Sequence, residues 1–244
     1  MGVDLSIVIP AYNEERRIRK TLEGYLQLSK MLGLIFELIV VIDGSDGTLE
    51  VVREYSRKYN GLIRYLRFSG RLGKGKAVMR GFASAKGKLV GFADADGSTK
   101  VHDIANLVRF MKENHGWDGV IGSRWVKGAE FIKRPTISRI FASRGLNVLV
   151  RGFLRLNFRD TQCGAKLFKK EMIEKCYPYI DVSGFSFDIY LLYRAVKMGF
   201  KIKEFPLRWD DCDGSKIKLD DILKIFLDVC KLMPSYPGAA KVAY

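Results

Sequence analysis

Apolar residues along this chain fall into two alternating patterns. Short, mainly apolar runs occupy residues 5–9, 36–42, 63–68, 89–93 and 119–122. Between them, at 14–32, 48–59, 74–85 and 103–114, apolar residues recur every three or four positions. In the first of these stretches Ile18, Leu22 and Leu26 keep helical spacing, and the pattern stops at Gly33. A short run with no polar alternation suits a strand buried on both faces, and the longer period suits a helix. Strand–helix alternation of this kind predicts an α/β fold, a mostly parallel central sheet flanked by helices. The second half is less regular. It predicts strands near 166–168 and 202–205 and helices over 187–198 and 219–232. No repeat, linker or low-complexity tract interrupts the chain. Residues 1–232 therefore read as one domain and 233–244 as a tail.

In a parallel sheet, ligands bind beyond the C-terminal ends of the strands. Those ends are polar here. The first strand runs into Pro10-Ala11-Tyr12-Asn13-Glu14 and the second into Asp43-Gly44-Ser45-Asp46-Gly47-Thr48. The fourth runs into Asp94-Ala95-Asp96-Gly97, the fifth into Ser123-Arg124. Two carboxylates two residues apart point to one side of a strand end, where they can grip a hard divalent cation. Mg²⁺ or Mn²⁺ suits such a pair when substrate phosphates complete the coordination. The stretch from Gly70 to Ala77 fits GxxxxGK, but Ala77 stands where a phosphate loop needs a hydroxyl, and it follows the third strand. It reads instead as a turn into a helix start whose lysines attract anions.

Composition changes this picture in one respect. The chain has 244 residues, 48% hydrophobic and 28% charged, which excludes a disordered or disulfide-stapled protein. It also carries a net charge of +15. That implies an anionic partner: nucleic acid, a membrane surface or a phosphate-rich ligand. The charge is concentrated. Between Arg124 and Arg159 stand nine basic residues and one acid, Glu130. Nucleic acid is disfavoured, because aromatics are not interleaved with these cations as a stacking platform requires. The four cysteines have no CxxC spacing, which argues against zinc and for reduced thiols. No apolar run is long enough to span a bilayer, and the N-terminus enters a strand directly instead of opening with a signal peptide. A cytoplasmic protein, peripheral on the inner face of a membrane, is the expectation.

Together these motifs resemble the family 2 glycosyltransferases, which have the GT-A fold. Gly122-Ser123-Arg124 and the stretch Asp160-Thr161-Gln162-Cys163-Gly164-Ala165-Lys166-Leu167-Phe168 narrow the resemblance to the polyprenyl-phosphate sugar synthases. Dolichyl-phosphate β-glucosyltransferases come nearest and dolichyl-phosphate mannose synthases next. The resemblance implies a nucleotide-sugar-binding half, 1–123, and an acceptor-binding, membrane-facing half, 124–232. It implies that Pro10, Tyr12, Glu14, Asp43 and Lys74 meet the donor nucleotide. Asp94 and Asp96, with Ser98 as a third candidate, would hold Mg²⁺ or Mn²⁺. Arg124, Arg139 and Ser143 would meet the acceptor phosphate, and Lys216 would close over the donor. UDP-glucose is the favoured donor and GDP-mannose the alternative. The chain departs from the family pattern at Ile42, where an acid is usual, and at Ser98, where the mannose synthases carry Gln.

The chemistry agrees with a phosphate acceptor. A sugar hydroxyl needs a general base, whereas a phosphate monoester is largely a dianion at pH 7. No residue presents itself as a base. The two histidines, His102 and His115, fall in surface-like helical patterns, and Asp188 suits a helix start more than the acceptor. On a helical wheel Arg144, Arg151, Arg155 and Arg159 share one face, opposite Leu146, Leu149, Val150, Phe153 and Leu154. Such a helix suits an anionic membrane. Arg139 falls on the apolar side, where a lipid phosphate would satisfy it. The helix over 219–232 suits either core packing or a second surface anchor.

Overall fold

The computed structural model describes residues 2–133, 137–180, 182–210 and 219–232, the side chains of 133, 137–143, 146, 210 and 219–223 excepted. A seven-stranded sheet runs through the molecule. In chain order its strands are β1 (Leu5–Ala11), β2 (Phe36–Ile42), β3 (Ile63–Arg67), β4 (Leu89–Ala93), β5 (Gly119–Ser123), β7 (Ala165–Lys169) and β8 (Ile202–Pro206). The spatial order is β3-β2-β1-β4-β7-β5-β8. All neighbours pair parallel except β7, which is antiparallel to both β4 and β5. Successive strand residues point to opposite faces, and both faces are dry. Val8, Ile39, Val41, Val90 and Phe92 enter one core cluster. Ile7, Ile9, Leu38, Val40 and Ile42 enter the other. This is why most of the strands read as mainly apolar runs without polar alternation.

The helices cover both faces. They are α1 (Glu15–Tyr25), α2 (Leu28–Leu32), α3 (Thr48–Lys58), α4 (Lys74–Ser84), α5 (Val101–Glu113), α6 (Ile137–Leu154), α7 (Lys170–Cys176), α8 (Phe187–Lys197) and α9 (Leu219–Lys231). The stretch 14–32 is two helices, not one. The Gln27 amide bonds the carbonyl of Gly24, three residues back, and this tightened turn divides them. The sequence pattern did not reveal α7, which follows β7 without a break, nor the small parallel pair of β6 (Glu130–Lys133) with β9 (Arg208–Asp210).

The basic segment needs a larger correction. Helix α6 ends at Leu154, and Arg155 takes a left-handed φ of 53°. Arg155 and Arg159 therefore lie beyond the helix and share no helical face with Arg144 and Arg151. Nor is the apolar side uniform. Val150 and Leu154 enter the core, together with Asn147, whose Oδ1 accepts the Thr161 amide and hydroxyl. Val148, Leu149 and Phe153 instead face outward at 64%, 39% and 42% exposure, beside the exposed Arg144 and Arg151. Helix α9 sends Ile225 and Val229 into the core, followed by Leu232 just past its end, and leaves Leu227 outside. Core packing thus accounts for its main apolar stripe.

Candidate active site

The chain leaves β1 for β2 and β3, then crosses back to place β4 on the other side of β1. A crevice opens where the strand order reverses, beyond the ends of β1 and β4. Asp94 is the first residue past β4. Its side chain is 24% exposed, and its Oδ1 lies 2.7 Å from the Lys74 ammonium. Asp96 accepts the Ser98 amide at 2.9 Å, closing the turn. The Thr21 hydroxyl of α1 donates to the Ala95 carbonyl at 2.8 Å and pins the turn from below. Gly164 packs against Asp94 from the side of β7. A Cβ there would collide with the Asp94 carboxylate, so only glycine lets both segments approach.

Lys74 is the first residue of α4, and that helix start is fixed from two directions. Asp43, at the end of β2, accepts the Leu72 and Gly73 amides through Oδ2 at 2.8 and 3.0 Å. On the other side the Gly75 amide donates to the Ser183 carbonyl at 2.9 Å. Gly73 itself has φ 81°, and any Cβ would strike that same carbonyl. The Lys74 ammonium also faces the rings of Phe92 and Phe185. Burial pulls its pKa down, but Asp94, Asp188 and Asp96 outweigh burial and hold it above the ordinary lysine value. It stays charged.

The structure places most of the expected donor residues around this crevice, two of them with partners of their own. Pro10 is half-buried within β1. Tyr12 lies under the Arg71 guanidinium, 4.4 Å from ring centroid to carbon, a stacked pair that sequence reasoning missed. Glu14 is engaged by Arg17 at 2.7 Å, and one oxygen of Asp43 is committed to the loop before α4.

Arg124 is also less open than its sequence position suggests. Its Nε and Nη2 fork onto the two oxygens of Asp160 at 2.7 and 2.8 Å, its amide bonds the same carboxylate, and its guanidinium lies over the Trp209 ring. Burial lowers the guanidinium pKa and Asp160 raises it further, so the cation is permanent. The side chains of Arg139 and Ser143, and all of Lys216, lie outside the described residues. His102 and His115 are exposed. The Cys163 thiol is buried and pushed up to about 12 by burial, which makes it inert. Cys163, Cys176 and Cys230 are free thiols.

Below the crevice lies an ion pair between Lys166 and Asp188, 2.6 Å apart, with side-chain exposures of 0% and 2%. Lys166 also donates to the Cys163 carbonyl at 2.6 Å and lies over the Phe92 ring. Asp188 therefore holds Lys166 instead of capping α8. A lysine between the apolar positions of β7 was the available signal, because a fully buried lysine demands a carboxylate partner.

Asp94, Asp96 and the Ser98 hydroxyl offer hard oxygen donors. Ser98 is 2% exposed, and its Oγ has no hydrogen-bond partner among the described residues. Those residues contain no group of three His, Cys, Asp or Glu able to enclose a metal. The donor set thus fits Mg²⁺ or Mn²⁺ completed by ligand phosphates, and does not fit an all-protein cage.

A mostly parallel sheet with a carboxylate pair, a cationic helix start and a stacked aromatic at its switch point agrees with the GT-A arrangement of nucleotide-sugar transferases. The profile of glycosyl transferase family 2 matches residues 6–177, and the chain belongs to that family. It is 38% identical over 227 residues to a dolichyl-phosphate β-glucosyltransferase of Drosophila melanogaster, covering 88% of this chain and 70% of the relative. The corresponding protein of Saccharomyces cerevisiae is 36% identical over 95% of this chain and 73% of its own length. Among solved structures, glucosyl-3-phosphoglycerate synthase from Mycobacterium tuberculosis, in complex with Mn²⁺, UDP and phosphoglyceric acid, superposes with TM-score 0.69. It is 20% identical and covers 96% of this chain and 81% of its own. Mannosyl-3-phosphoglycerate synthase from Rubrobacter xylanophilus gives 0.70 at 15% identity, over 99% and 76% of the two chains. Both likenesses concern the fold.

Proposed function

We propose that this enzyme transfers glucose from UDP-glucose to a polyprenyl phosphate of the dolichyl type at a membrane surface, with inversion. The observation that carries this reading is the junction of Asp94, Asp96 and Lys74 at the switch point. The names of the relatives favour glucose and dolichyl phosphate over the GDP-mannose alternative. Tyr12 and Arg71 hold the nucleotide, and the α4 start with Lys74 takes the diphosphate. Asp94, Asp96 and Ser98 would hold Mg²⁺ or Mn²⁺, which neutralises the leaving diphosphate when bound. An oxygen of the acceptor phosphate attacks the anomeric carbon. The bond from that carbon to the β-phosphate oxygen breaks, and its electron pair leaves with UDP. Lys74 stabilises the developing charge on that side.

The acceptor is already a dianion, so no base is required. Arg124 is fixed by Asp160 and contributes positive potential at the acceptor side. Arg139 and Ser143 would meet the acceptor phosphate, and Lys216 the donor, as the family resemblance implies. Incubation with a short polyprenyl phosphate, Mn²⁺ and each of UDP-glucose, GDP-mannose and UDP-GlcNAc tests the reading. Product from UDP-glucose is expected, and product from none of the three would overturn the assignment.

Membrane contact rests on the outward face of α6, where Arg144 and Arg151 accompany exposed Val148, Leu149 and Phe153. Apolar side chains with flanking cations suit the headgroup boundary of an anionic bilayer. Vesicles containing phosphatidylserine are expected to carry the protein in flotation, and Val148→Glu with Phe153→Glu is expected to weaken binding about tenfold. Unchanged flotation of the double variant would remove α6 from the membrane face.

A further inference from the structure

We infer that Lys74 is the resident cation of the carboxylate site, exchanged for the divalent ion when donor binds. The inference rests on the metal and diphosphate reading given above. The Lys74 ammonium sits 2.7 Å from Asp94 Oδ1. A divalent ion bound to that oxygen stands at about 2.1 Å. The two cations repel at such a separation, strongly so in a half-buried crevice. One must give way, and Lys74 has somewhere to go. Asp188, which is not among the metal donors, also acts on its charge, and it is held in place below by Lys166. The Phe92 and Phe185 rings lie within 5.4 and 6.0 Å of the ammonium. The α4 start that carries Lys74 also faces the place where a diphosphate would lie.

The consequence is a coupling between metal and nucleotide. Metal alone competes with Lys74 for Asp94 and binds weakly. When a diphosphate is present, it accepts the displaced ammonium, and metal and nucleotide each strengthen the other. In the empty protein Lys74 keeps Asp94 from standing as an unpaired carboxylate.

Free Mn²⁺ measured by its electron paramagnetic resonance signal reads this directly, with no turnover involved. Titrations with Mn²⁺ alone and with Mn²⁺ plus UDP are compared in the wild type, Lys74→Met and Lys74→Gln. Arg80→Met, an exposed arginine further along the same helix, controls for net charge. Both Lys74 variants are expected to bind Mn²⁺ alone roughly five- to tenfold more tightly than the wild type. The gain in Mn²⁺ affinity on adding UDP should shrink by a similar factor, while Arg80→Met stays near the wild type. Two folded Lys74 variants that bind Mn²⁺ alone no more tightly than Arg80→Met overturn the exchange and leave the functional reading intact. A wild type that binds no Mn²⁺ even with UDP overturns the metal reading and the exchange together.

Discussion

Asp96→Asn is expected to lower sugar transfer by about 10²- to 10³-fold with little loss of stability. The substitution is nearly isosteric, and the remaining amide oxygen can still accept the Ser98 N–H that closes the turn. What disappears is one formal charge beside the position of the diphosphate. Asp94→Asn should be at least as damaging for activity, because it removes a proposed metal ligand and the partner of Lys74 together. The two variants separate in the Mn²⁺ dependence. Asp96→Asn should need far more Mn²⁺ for half-maximal rate. In Asp94→Asn that shift should be smaller for a given loss of rate, because Lys74 no longer competes. Initial rates against Mn²⁺, with a thermal melt to establish folding, check this. Full activity of Asp96→Asn would defeat the role given to the carboxylate pair.

Lys166→Met is expected to be the most destabilising single change away from the carboxylates, at about 3–5 kcal/mol. It leaves the Asp188 carboxylate buried without its counter-ion and strips a donor from the Cys163 carbonyl. For a chain of this length that corresponds to a drop of roughly 10 °C in melting temperature. The effect carries a pH signature. Burial already holds the Asp188 carboxyl above its ordinary value, against the opposing pull of Lys166 and Lys74, and removing Lys166 raises it further. A carboxyl whose folded pKa exceeds its unfolded pKa, near 3.9, opposes folding above that lower value. The penalty grows with pH up to the folded pKa and then stays. The deficit of Lys166→Met should therefore shrink as pH falls from 8 towards 5. Asp188→Asn buries an ammonium instead and should show no such recovery on acidification. Lys166→Met combined with Asp188→Leu should regain much of the stability, since an apolar pair carries no desolvation cost. Melting curves at several pH values decide the matter, and a pH-independent deficit for Lys166→Met would contradict it.

The strands and most helices were legible because burial on both faces writes itself as mainly apolar runs. The polar ends of β1, β2 and β4 then placed the crevice, since a parallel sheet gathers its strand ends on one edge. Other features depend on contacts distant in sequence. That Asp43 spends an oxygen on the α4 loop, or that Arg124 is forked by Asp160, follows from the packing of segments about 30 and 36 residues apart. A helical wheel assumes that a helix continues, so it carried the arginine face past Leu154 to residues that the left-handed turn at Arg155 excludes. The wheel also has no way to show that Asn147 is buried by bonding Thr161. The Lys166–Asp188 pair lay between these cases. The lysine inside β7 was visible, but its partner became plain only when α8 was placed against the sheet.

The position of β7 has a consequence for how the chain folds during synthesis. Strand β4 pairs with β7 across about seventy intervening residues, and β5 finds both its sheet neighbours, β7 and β8, only later in the chain. A nascent chain released as far as residue 123 can pair β1 to β4, but it presents β4 as an open edge and leaves β5 unpaired. Such an edge invites association with other chains. Residues 1–123 are therefore not a separable module. Their last strands stay exposed on the ribosome until β7 arrives and β8 closes the far side.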